Sequence, residues 1–151
     1  MRFAVLALAF ASAALAAAPD LSGSWKLNGS KSDFGQFPAP SALTQKVTHA
    51  EPKITVDTKM SGDNGDLQFT ASYTTDGKEC TNPGFGGAEM KSTAKWDGES
   101  LLIETKAAFG DNAFTMKDQW SLSDGGKTLT VLRHFSSAMG EADQKMVFEK
   151  Q

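Results

Sequence analysis

Phe114-Thr115-Met116-Lys117-Asp118-Gln119-Trp120-Ser121-Leu122-Ser123-Asp124-Gly125-Gly126-Lys127-Thr128-Leu129-Thr130-Val131-Leu132-Arg133-His134-Phe135 is the stretch whose reading decides the fold. Ahead of the Asp-Gly-Gly, Phe114, Met116, Asp118, Trp120 and Leu122 alternate with Thr115, Lys117, Gln119 and Ser121. Beyond it, Leu129, Val131, Arg133 and Phe135 alternate with Thr128, Thr130 and His134. A period of two is the mark of an extended strand with one wet face and one buried face. Asp-Gly between two such runs signals a hairpin, because Gly takes positive φ without penalty. If the turn sets Leu122 opposite Leu129, then Trp120 faces Val131, Asp118 faces Arg133 and Met116 faces Phe135, all on the inner side. An unpaired charge in an apolar lining is costly, so Asp118 and Arg133 are expected to meet as an ion pair.

The same pattern runs outward in both directions. Ile54, Val56, Thr58 and Met60 share a face, as do Leu67, Phe69, Ala71 and Tyr73, and Leu101, Ile103, Thr105 and Ala107. Gly-containing turn sequences separate these runs, among them Asp76-Gly77, Asp97-Gly98 and Gly110-Asp111-Asn112. Further strands over residues 24–28, 43–49, 89–96 and 143–149 bring the expected number to about nine. No segment keeps a helical period for three turns. The fold class is therefore all-β, a single antiparallel meander of about 8–10 strands. Closure into a barrel removes the exposed sheet edges, and a two-sheet sandwich is the alternative.

Composition narrows the function. With 151 residues the chain suits one domain. A net charge of -3 without a basic run gives nucleic-acid binding no electrostatic support. Met1-Arg2, the apolar run from Phe3 to Leu15 and Ala14-Leu15-Ala16-Ala17-Ala18 have the layout of a secretory signal peptide. Residues 1–18 are thus expected to be a leader, cleaved near Ala16 to Ala18, and residues 19–151 the folded domain. The expected location is secreted or periplasmic. The apolar run is too short for a membrane span. Cleavage removes Arg2 and leaves Arg133 as the one arginine of the mature chain. Cys80 is then an odd thiol in an oxidising compartment, either a small buried hydrophobe or a site of intermolecular bonding.

Gly23-Ser24-Trp25-Lys26-Leu27 at the start of the domain, together with the late Arg133, resembles the Gly-x-Trp signature of the calycin group, the lipocalins and fatty-acid-binding proteins. The whole domain is also similar to small secreted lipocalin-like proteins of soil bacteria, a family without an assigned activity. The shared residues there are Leu21-Ser22-Gly23, Trp25 to Asn28, Lys31-Ser32, Phe34-Gly35, Tyr73 to Cys80 and Arg133-His134-Phe135. The resemblance implies a lipocalin-like barrel in which Trp25 closes one end and Arg133 packs across it. Two departures bear on ligand chemistry. Fatty-acid-binding proteins carry two short helices after the first strand, whereas residues 28–41 here contain Gly29, Gly35, Pro38 and Pro40, which break helices, so a loop is expected. Their last strand carries an Arg-x-Tyr carboxylate clamp, for which this chain has Met146-Val147-Phe148-Glu149-Lys150.

Catalytic and metal motifs are missing from the sequence. There is no Gly-x-Ser-x-Gly, Cys80 has no nearby His, and His49 and His134 lack metal-ligand spacing, so both His are expected at the surface. Gly84-Phe85-Gly86-Gly87 is followed by no Lys-Ser/Thr pair and reads as a loop, with residues 83–87 a lip over the barrel mouth. The inward faces carry large apolar side chains with few polar ones, which fits either a ligand cavity or a filled core. The candidate ligand-binding residues are Tyr73, Trp96, Met116, Asp118, Trp120, Arg133 and Phe135. The leading expectation is an exported, non-catalytic binding protein for a small apolar or amphiphilic molecule, with no cofactor, no metal and no nucleic-acid partner. Its rivals are a protein–protein module, such as an inhibitor of an exported hydrolase acting through residues 17–22 or 35–40, and an enzyme using Asp118 and Arg133.

Overall fold

The computed structural model describes residues 17–151. The expected leader, up to residue 16, lies outside the described residues. Ten strands follow in order: β1 Gly23–Leu27, β2 Ala42–Ala50, β3 Lys53–Gly62, β4 Gly65–Thr74, β5 Cys80–Pro83, β6 Glu89–Asp97, β7 Ser100–Phe109, β8 Asn112–Ser123, β9 Thr128–Ser137 and β10 Gly140–Lys150. All pair antiparallel in one sheet, ordered β4-β3-β2-β1-β10-β9-β8-β7-β6-β5. The chain is a meander except that β1 sits between β2 and β10, which joins its two ends. The β8–β9 register is the one set by the turn: Leu122 opposite Leu129, Trp120 opposite Val131, Asp118 opposite Arg133 and Met116 opposite Phe135. The result is a nearly closed barrel rather than a sandwich.

The strand not anticipated from sequence, β5, lies at the open seam opposite β4. There a side chain substitutes for backbone pairing. Asn82 accepts from the Ser72 backbone N–H through Oδ1 at 2.8 Å and donates from Nδ2 to the Ser72 carbonyl at 3.0 Å. One buried amide thus satisfies both groups that Ser72 presents on the free edge of β4. Asn82→Ala is expected to lower stability by about 1–3 kcal/mol, the cost of leaving such groups unmet. Urea unfolding and amide exchange at Ser72 check this; an unchanged midpoint with unchanged Ser72 protection would refute the clamp.

Inner residues near the β2–β3 and β8–β9 turns are sealed: Ile54, Leu101 and Leu129 have no exposure, and Trp25 and Phe148 1%. Inner residues toward the opposite end are not. Leu67 and Phe69 are 39% and 38% exposed, and Phe114, Met116 and Phe135 are half-buried. One half of the barrel is a packed core and the other is hollow, so the cavity and filled-core readings each describe one half.

Residues 28–41 contain one short 3-10 turn, Gly29–Lys31, and no α-helix, as the Gly and Pro content requires. This loop crosses the hollow end. Phe34, Pro38 and Pro40 line the interior, and Phe37 packs edge-on against Phe135 at 5.7 Å. Phe135 stacks on Phe114 at 5.4 Å, and Phe114 on Phe109 at 6.0 Å. A row of four rings therefore spans the mouth.

Two expectations need correction at the sealed end. Trp25 is buried and donates its indole N–H to the Leu21 carbonyl at 3.0 Å, but the cation over its ring is Lys150, at 5.6 Å, not Arg133. Lys150 pairs directly with Trp25, and its N–H donates to the Lys127 carbonyl, which puts all three at one level of the barrel. Arg133 lies a further six residues along from Lys127, roughly 20 Å of extended strand. The second correction is His49, whose side chain is 3% exposed rather than at the surface. It continues the inward parity of Leu43, Gln45 and Val47 and pairs with Ile54. Its Nδ1 accepts from the Leu21 N–H at 3.1 Å, which leaves Nε2 to donate to Glu51 at 2.7 Å. His134 is on the outer face, 2.7 Å from Asp143, as its parity implies.

Candidate functional site

The hollow half holds two adjoining lobes that share lining residues. One lobe, about 270 Å³, is walled by residues including Gln45, Val56, Thr58, Trp120, Met146 and Phe148. The other, about 540 Å³, lies against the β4–β5 seam and is walled by Leu67, Asn82, Gly84, Met90, Thr105 and Met116 among others. Phe69, Ala71, Tyr73, Asp118 and Arg133 line both. Leu67 and Phe69, both exposed, border this lobe at the seam together with Pro83, Gly84 and Gly86.

Asp118 and Arg133 form a two-pronged ion pair. Arg133 Nε donates to Asp118 Oδ1 at 2.8 Å and Nη2 to Oδ2 at 2.7 Å. The side chains are 9% and 29% exposed, so the contact is shielded from water. The flat guanidinium fork suits this contact in a way that Lys would not. Burial works against the charged guanidinium, but the Asp118 carboxylate beside it outweighs burial and holds its pKa above the usual range. Burial pushes the Tyr73 phenol up to about 12, with Asp118 adding to the push and Arg133 opposing it, so Tyr73 stays neutral at physiological pH. The junction between the lobes is therefore polar but carries no net charge.

Of the expected site residues, Tyr73, Asp118 and Arg133 face both lobes, Trp120 the smaller and Met116 the larger. Phe135 stands in the aromatic row at the mouth. Trp96 lines neither lobe. Its indole N–H donates to Glu51 Oε1 at 2.8 Å, and its ring lies 6.0 Å from that of His49. Glu51 also accepts from Thr75 at 2.5 Å. Burial raises the Glu51 pKa, but the hydrogen bonds from Thr75, His49 and Trp96 prevail and hold it below the usual range. These four residues tie the β2–β3 turn to the end of β4 and to β6, which is a structural duty. Gln45 and Thr58, absent from the expected site although their inward parity is visible in the sequence, also line the smaller lobe.

Of the segments offered for a protein–protein module, residues 17–22 are held through Leu21, which is 1% exposed, while residues 35–39 are exposed, with Phe37 37% exposed beside Phe135. The outer face of β6–β10 holds a shallow concavity of about 870 Å³ around Leu102 and Leu132, flanked by Lys95, Glu104, Lys117 and Lys145. Charged side chains, Asp143 among them, rim this concavity, whereas Val56, Val131, Met146 and Phe148 are among the residues that wall the interior. Among the described residues no helix is long and apolar enough to cross a membrane.

A ten-stranded antiparallel barrel, packed at one end and hollow at the other, defines the lipocalin and fatty-acid-binding class of fold. Solved structures agree. The chain is similar to the REP1-NXSQ fatty acid transporter, at 15% identity over 87% of this chain and 96% of that one, with a TM-score of 0.64. It is similar to zebrafish ileal bile acid-binding protein complexed with cholic acid, at 17% identity over 87% and 98% of the two chains, TM-score 0.62. Secretory abundant heat soluble protein 4 from Ramazzottius varieornatus matches at 16% identity over 87% and 94%, TM-score 0.61. No protein-family model matches the chain, and no curated protein does. At these identities the likeness establishes the fold.

Proposed function

We propose that this chain is an exported, non-catalytic binding protein that holds a small apolar or amphiphilic molecule in the hollow half of its barrel. The carrying observation is the pair of adjoining lobes, with Val56, Val131, Met146 and Phe148 among the wall residues and a polar junction at Tyr73, Asp118 and Arg133. A few convergent polar groups in an apolar cavity are what small-molecule sites look like. The fold's likeness to a fatty acid transporter and a bile acid-binding protein supports the same reading. Export rests on the basic start, the apolar run and the Ala-x-Ala sequence of the leader. A catalytic reading gains nothing from Asp118, whose two oxygens are both engaged by Arg133.

Titration with a neutral apolar fluorophore, followed by energy transfer from tryptophan, tests the proposal. Saturable binding at one site, displaced by medium-chain amphiphiles, is the expected result. Absence of saturable binding by any apolar or amphiphilic probe would refute it.

A further inference from the structure

The sheet ends on two strands, β4 and β5, and the two edges are not alike. β5 is four residues long and carries Pro83, the short, proline-bearing kind of edge that resists pairing with another chain. β4 is ten residues long and has no Lys, no Pro and no bulge, for its register against β3 runs unbroken from Gly62 opposite Gly65 to Lys53 opposite Thr74. Residues 65–70 are exposed on both faces of the strand, Leu67 and Phe69 included. Both backbone groups of Ser72 point away from β3, because both go to Asn82, and strand geometry turns those of Thr70, Gln68 and Asp66 the same way. Among the described residues no strand and no side chain pairs with these three backbone positions on that side. A long exposed edge in this state is a ready template for another strand.

We infer that residues 66–70 form the two-fold interface of a homodimer, in which β4 of each copy pairs antiparallel with β4 of the other about Gln68. The stretch Asp66-Leu67-Gln68-Phe69-Thr70 is its own complement. A two-fold axis at Gln68 sets Leu67 of each copy opposite Phe69 of the other, so apolar side chains meet on one face. On the other face Asp66, the one charge of the stretch, meets Thr70 rather than a second carboxylate. The pairs Asp66–Thr70, Gln68–Gln68 and Thr70–Asp66 each exchange two backbone hydrogen bonds. This register uses all three free positions and leaves Ser72 with Asn82; a shift toward the strand's end would draw in Ser72, and a shift the other way the β3–β4 turn. Because residues 65–70 are exposed on both faces, the second sheet continues β4 in its own plane without entering the barrel. The interface does not depend on what the lobes hold.

Sedimentation of the purified chain over a concentration series tests the dimer. The dimer fraction should rise with concentration, and amide exchange at Asp66, Gln68 and Thr70 should slow about tenfold as it forms. Gln68→Pro removes the central N–H, which the monomer leaves unused, and should give a folded monomer at every concentration. Gln68→Cys in a Cys80→Ser background sets two thiols opposite each other with Cα atoms about 5.5 Å apart, within disulfide reach, and should cross-link on oxidation. Lys59→Cys, next to Gln68 on β3, should not. If circular dichroism shows that Gln68→Pro does not fold, the cross-linking decides. A chain that stays monomeric throughout, a dimer that survives a folded Gln68→Pro, or a dimer that Gln68→Cys does not cross-link would each overturn the inference. A monomeric chain whose three edge amides are protected only by a synthetic peptide of residues 65–72 accepts a foreign strand there, and the dimer falls with that result too.

Discussion

Trp25→Ala should lower the stability of the domain by about 3–5 kcal/mol, the range found when a buried Trp is truncated to Ala. Trp25 is 1% exposed and sits in a sealed cluster with Leu21, Val47, Ile54, Leu129 and Phe148. Its removal opens a void where the surrounding strands are held in register on both sides, by Gln45 of β2 and Lys150 of β10. Its indole N–H also ties down Leu21, which in turn donates to His49, so the effect reaches the N-terminal segment. Gly23 belongs to the same arrangement. Its φ is +144°, and a Cβ there would lie 2.7 Å from Lys150 Cε, within the side chain whose ammonium covers the Trp25 ring. The Gly-x-Trp spacing thus has a physical reading: glycine permits the backbone and the space that let Lys150 lie across the tryptophan. A Trp25→Ala protein with the wild-type urea midpoint would show that Trp25 does not hold the sealed end.

The second large effect concerns Asp118 and Arg133. Asp118→Asn and Arg133→Met are each expected to cost about 3 kcal/mol, because either change leaves a shielded charge without its partner. The double change should cost less than the sum of the two by about 1–3 kcal/mol, since it removes both charges together. The geometry favours the upper part of that range: two hydrogen bonds of 2.8 and 2.7 Å between directly opposed residues. Strictly additive losses in denaturant unfolding would mean that the pair contributes no coupling.

Much of this site was readable in the sequence because antiparallel pairing is arithmetic. The Asp124-Gly125-Gly126 turn fixes one opposed pair, period two fixes the rest, and so Asp118 falls opposite Arg133. The same parity places His49 inside through Leu43, Gln45 and Val47, whereas the lack of metal-ligand spacing, the ground for a surface position, says nothing about burial. Other features carry no local pattern. Cys80–Pro83 is four residues long, too short for alternation, and the Asn82 clamp depends on β4 arriving from elsewhere. Lys150 over Trp25 and Trp96 on Glu51 are likewise products of the barrel's closure. Whether the interior is full or empty depends on its diameter and on where residues 28–41 cross it. The identity of the inward side chains does not contain that information, so cavity and core both fit the sequence pattern.

The most direct measurement of the central claim is where a bound molecule sits. In a methyl-labelled sample, magnetisation transfer from a bound neutral amphiphile should reach the methyls of Met146 and Val131 in the smaller lobe and Met116 in the larger, and leave those of Leu102 and Leu132 silent. Transfer confined to Leu102 and Leu132, on the outer face of the sheet, would contradict a ligand inside the barrel.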